Sequence, residues 1–119
     1  MQRVLEDAVN NVHTQLGPWM RESVFRDALA ADLRSRGYSV STEVHAPIMF
    51  KPTGASEAVS VGTHIADLVV STPTAKTVIE LKVRSSATAL PQAQAYKCTF
   101  NADDCFLIVF ASSPTVTRV

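Results

Sequence analysis

Residues 64–70 and 77–83 are two short runs rich in branched side chains, joined through Ser-Thr-Pro-Thr-Ala-Lys, and they read as a β-hairpin. With the turn centred between Pro73 and Thr74, Asp67 lies opposite Glu80, Leu68 opposite Ile79 and Val69 opposite Val78. Directly opposed residues have Cβ atoms about 4.5–5.5 Å apart, so two carboxylates so placed repel unless a cation sits between them. Lys82 follows Glu80 by two and projects to the same face. One patch of sheet, flanked by Val69 and Val78, then holds an aspartate, a glutamate and a lysine in apolar surroundings. A hard divalent cation such as Mg²⁺ takes oxygen ligands of this kind and keeps several waters for a substrate phosphate. A lysine beside it can position a water or help deprotonate it. Arg84 shares the face and suits a phosphate contact, or equally the solvated end of a strand. The plainer alternative for Glu-x-Lys alone is a solvated strand face.

A third acid adds to the patch. Glu22 lies within about 60° of Phe25, Leu29 and Leu33 around a helix axis, on the stripe that faces a core. A charge there costs several kcal/mol unless it is paired or bound to metal. Either Glu22 forms a salt bridge with Arg26 one turn on, or it reaches toward Asp67 and Glu80.

The elements that must position these residues follow from periodicity and punctuation. Leu5, Val9, Val12 and Leu16 form one apolar stripe of a helix, which Gly17-Pro18 interrupts. A second helix is expected over 18–36, capped by Gly37. Residues 38–50 alternate with period two, giving a strand with Val40, Thr42, Val44, Ala46, Ile48 and Phe50 on one face and a wet face opposite. Residues 51–61, with Pro, Gly and Ser, read as a loop. After the hairpin, residues 89–99 read as a third helix with Pro91 in its first turn, and 105–110 (CFLIVF) as a strand covered on both faces. The order α-α-β-β-β-α-β specifies an α/β fold, a mixed sheet flanked by helices.

Composition bounds the function. The chain has 119 residues, which suits one domain over 1–119, with 46% hydrophobic residues and no membrane-spanning run or signal-like start, so a soluble, intracellular protein is expected. Eleven basic residues balance eleven acidic ones, so bulk electrostatics cannot carry nucleic-acid binding, and an oligomer or partner subunit would have to extend a DNA track. Cys98 and Cys105 are too few for a structural zinc or an iron–sulfur cluster. Trp19 suits a core or interface position better than base stacking, having no second aromatic beside it. His64, near Asp67, reads as an ordinary satisfied polar residue.

Asp67, twelve intervening residues and Glu80-Leu81-Lys82 resemble the D…ExK core of the PD-(D/E)XK nuclease superfamily. Gln92 and Tyr96 on the next helix are similar to the Q-x-x-x-Y element of its RecB-like branch. Over roughly residues 8–110, the segments VHTQLGPWMRESVFRDALAADLRSRGYSV and VGTHIADLVV…TVIELKV also resemble the small GxxExxY proteins. Of the three residues that name that group only Glu22 is kept; Trp19 and Phe25 replace its Gly and Tyr. The resemblance implies a restriction-endonuclease-like fold and a Mg²⁺- or Mn²⁺-dependent deoxyribonuclease that hydrolyses phosphodiester bonds with metal-activated water. It implies Asp67, Glu80 and the Leu81 carbonyl as metal ligands, with Glu22 supporting the metal shell and Lys82 acting on the water. Gln92 and Tyr96 would hold the DNA strand or orient Lys82. The alternatives are a non-catalytic nucleic-acid-binding subunit that keeps the fold, and an assembly module docking through the Leu5–Leu16 stripe.

Overall fold

The apolar stripe of the first helix is core. In a computed structural model describing residues 1–119, α1 (Gln2–Leu16) buries Leu5, Ala8, Val9 and Val12 against α2 (Glu22–Ser35), which contributes Phe25, Leu29, Ala30 and Leu33. This corrects the assembly-module alternative: a stripe already consumed in the interior leaves nothing to dock. It does not start α2 where Pro18 suggested. Arg21 is the extended N-cap (φ −71°, ψ 159°) and the helix begins at Glu22. Trp19 is 92% exposed, so residues 18–21 bury nothing that would draw them into another turn. The same exposure overturns a core position for Trp19.

Five strands make one sheet in the order β1 (Ser39–Phe50), β2 (Val59–Ser71), β3 (Lys76–Lys82), β4 (Asp104–Val109), β5 (Thr115–Arg118). Neighbours are antiparallel except β3 and β4, which run parallel because α3 (Ala89–Thr99) carries the chain back between them. α1 and α2 cover one face, over Leu68, Val70, Ile79, Leu81, Phe106 and Ile108. α3 covers the other, over Ala66, Val69, Val78, Cys105 and Leu107. The fold is a mixed α/β sheet flanked by helices, as the element order specified.

Three details differ from expectation. β2 begins at Val59 rather than near His64, because the chain after the 51–58 loop pairs at once with the far end of β1, Phe50 opposite Val59. β5 was not anticipated; its four residues are held by pairing with β4 and by Gln2 Nε2, which donates to the Val116 carbonyl at 2.9 Å. Finally, β1 does not present one apolar face throughout. Val40 packs in the α1/α2 core, while Val44 and Ala46 pack in the α3 core. β2 makes the matching exchange, with Ala66 on the α3 side and Leu68 on the α1/α2 side. Between these positions stand Glu43, in the left-handed region at φ 51°, and Asp67.

Candidate active site

The hairpin register is the one the turn predicted: Leu68 pairs with Ile79 and Val69 with Val78. The ladder then stops one step short of the acids, and their carboxylates replace main-chain partners. Asp67 Oδ2 accepts the Leu81 N–H at 2.8 Å, and Glu80 Oε1 accepts the Asp67 N–H at 3.3 Å. Each acid thus holds the other's strand, and the two strands splay around them. Asp67 is a paired position with neither β1 nor β3.

Burial makes this arrangement electrostatically expensive. Glu80 is only 4% exposed. Burial, then the Asp67 charge, pushes its carboxyl up to about 8, against the pull of the Asp67 N–H and of Lys82. Asp67 is raised chiefly by burial, offset by the Leu81 N–H and by Lys82. The four ion pairs of the molecule join Arg26 to Asp27, Arg26 to Glu43, Arg36 to Asp32 and Arg118 to Asp104, so neither acid of the hairpin has one. A buried and a half-buried carboxylate, neither with a paired cation, fit a site that takes up a cation from outside. No three His, Cys, Asp or Glu side chains gather into a closed ligand set, so such an ion would draw its remaining oxygens from main chain and water.

Both layers address Asp67, the residue at the exchange of faces. From the α1/α2 layer, Glu22 occupies the first position of α2, half-buried, and is raised by burial and then by the Asp67 charge, with Lys82 and Arg26 pulling it down. It forms no salt bridge with Arg26, whose guanidinium is spent on Asp27 at 3.0 Å and Glu43 at 2.5 Å. From the α3 layer, the Tyr96 phenol is raised by burial and then by Glu80 and Asp67, the Gln92 side chain one turn earlier pulling the other way. Lys82 acts on all three acids and is half-buried at the end of β3. Asp67, Glu80, Lys82, Glu22 and Tyr96 therefore share one neighbourhood, with Gln92 at its exposed margin. Arg84 is exposed beyond the end of β3.

One residue of this neighbourhood was underrated by the sequence. His64 packs at a tilt against Tyr96, ring centroids 4.3 Å apart at 38°, and its buried Nδ1 has no partner. Its separation of two from Ala66, on the α3 face, was the available signal. Cys105 lies in the α3 core and donates to the Ala93 carbonyl at 3.5 Å. Burial, then the Glu80 charge, pushes its thiol up to about 11, so it stays protonated and unreactive.

Comparisons with known proteins bear on the family and the fold. A search of curated proteins finds no match. Among solved structures, the crystal structure of SSO0001 superposes with a TM-score of 0.55 at 18% identity, over 97% of this chain. This chain spans 65% of the length of that one, and at such identity the likeness concerns the fold. The family model for the PD-(D/E)XK nuclease superfamily matches residues 1–119 in full. With a mixed sheet that splays at Asp67 and Glu80 beneath a single lysine, the chain belongs to the PD-(D/E)XK nuclease superfamily.

Proposed function

We propose that residues 1–119 form one nuclease domain that hydrolyses DNA phosphodiester bonds with Mg²⁺ or Mn²⁺, within the RecB-like branch and close to the GxxExxY proteins. The observation that carries the reading is the buried carboxylate of Glu80 beside the half-buried one of Asp67, neither in an ion pair, at the end of the hairpin ladder and within the field of Lys82. Nucleases of this superfamily typically use divalent metals, and the donor set here suits a hard one.

The roles divide by position. Asp67 and Glu80 hold the cation together with the Leu81 carbonyl. An extended residue directs its N–H and C=O to the same side, and the Leu81 N–H points at Asp67. A divalent cation held there would supply charge neutralisation at phosphorus and a more acidic water. Lys82, free of any ion pair, orients that water and takes part in its deprotonation. Glu22 supports the cation's outer shell from α2. Gln92 and Tyr96 hold the strand or orient Lys82, and Arg84 contacts a phosphate. The balanced net charge makes a lone chain a weak DNA binder, so a second copy or a partner subunit lengthens the track. No helix is long and apolar enough to cross a membrane, and the exposed free thiol of Cys98 suits a reducing, intracellular compartment.

The test is cleavage of linear, circular, single-stranded and branched DNA in Mg²⁺, Mn²⁺ or EDTA. Lys82→Ala is expected to lower the rate by roughly 10²- to 10⁴-fold, the usual contribution of a positioned proton-transfer group, with the fold intact. Cleavage that persists in EDTA, or equally in Lys82→Ala and Glu80→Ala, contradicts the reading.

A further inference from the structure

Asp67 leaves both ladders at one point, and the residue opposite it in β1 is the one with an unusual backbone. The β1–β2 register runs from Thr42 opposite Leu68 to Val44 opposite Ala66 with no slip, and omits only Glu43 opposite Asp67. Glu43 has φ 51°. That region disfavours any residue with a Cβ, and glutamate lacks the short polar side chain that lets Asn or Asp bond its own backbone there. Such a conformation persists only where its surroundings enforce it. One contact reaches Glu43 from outside the sheet: Glu43 Oε1 accepts Arg26 Nη1 at 2.5 Å, across from β1 to the first turns of α2, while Asp27 holds Arg26 Nε at 3.0 Å.

The consequence reaches the acids. A left-handed residue rotates a strand about its axis, and β1 and β2 change faces together at this step. Left out of the β1–β2 ladder, Asp67 sends its carboxylate to the Leu81 N–H and its own N–H to Glu80 Oε1. We infer that Glu43 is a positioning residue of the candidate site: through its left-handed backbone conformation it opens the β1–β2 ladder at Asp67 and so sets the Asp67–Glu80 pair. Arg26 adds to this as a nearby positive charge that both Glu22 and Asp67 feel.

The inference deepens the nuclease reading and shares its site, but its primary readout does not depend on that reading. Glycine adopts positive φ without penalty, whereas a β-branched residue resists it. Glu43→Gly is therefore expected to leave the Asp67 and Leu81 amide resonances and their hydrogen-exchange protection close to those of the unsubstituted chain. Glu43→Val is expected to shift both resonances. The affinity for Mn²⁺ alone should fall roughly 10- to 100-fold in Glu43→Val, the usual effect of disturbing groups that support metal ligands, and by less than about threefold in Glu43→Gly. If Glu43→Val does not fold, Glu43→Ala against Glu43→Gly makes the same contrast. Amide resonances that stay put in Glu43→Val, or a Glu43→Gly chain as disturbed as the valine one, overturn the inference. If the unsubstituted chain binds no Mn²⁺, the nuclease reading fails, and the amide resonances still decide the role of Glu43.

Discussion

At the scale of single residues, Glu80 is where cost and function meet. Its carboxyl stands at about 8 in the folded chain against an ordinary 4.5, so the folded state binds the proton more tightly than the unfolded one. The resulting stabilisation is complete below the ordinary value and is lost as pH rises through about 8. Asp67 shifts in the same direction and adds to the trend. In EDTA, therefore, urea midpoints should fall between about pH 5 and pH 8, and Glu80→Gln should flatten the fall and be the more stable chain at the upper end. Parallel pH profiles for the two chains would contradict a buried, proton-holding Glu80. The acids themselves were legible in the sequence, since hairpin pairing and strand period placed Asp67, Glu80 and Lys82 together. Glu43 was not. Left-handed positions are usually signalled by Gly or Asn, and this one carries a glutamate whose partner is an arginine seventeen residues away.

At the scale of elements, the packing of α1 decides between two accounts of its apolar stripe. Leu5 is fully buried among the α2 and sheet side chains. Leu5→Ala should cost about 2–5 kcal/mol by urea denaturation, and removal of residues 1–16 should unfold the chain rather than change its association. A shortened chain that keeps its cooperative transition would return α1 to the role of a docking helix. Periodicity was sufficient for α1 and for the hairpin pairing, and Pro91 in a first turn was the signal for α3. It failed where tertiary contacts choose the conformation. β5 has four residues and exists because β4 offers an edge. The exchange of faces in β1 preserves the alternation of exposed and covered residues, so a period-two pattern cannot reveal it.

At the scale of the whole molecule, charge and exposure shape how DNA would be met on the proposed reading. Basic and acidic residues cancel, and the cations proposed to meet phosphate are few, Lys82 at the acids and the exposed Arg84 beyond the end of β3. Each phosphate neutralised contributes about −0.9 to the slope of log affinity against log salt, so fluorescence anisotropy on duplex DNA should give a slope near −2 for one chain. A slope of about −5 or steeper would mean a basic track that a single chain does not possess.

The central claim is that Asp67 and Glu80 together hold one divalent cation. Calorimetric titration of Mn²⁺ into the chain near pH 7, repeated in buffers of different ionisation enthalpy, tests it most directly. Because Glu80 holds its proton in the absence of metal, binding should release about one proton per ion, and both binding and release should be lost in Glu80→Gln. No heat of binding, or an ion bound equally well by Glu80→Gln without proton release, would contradict the account.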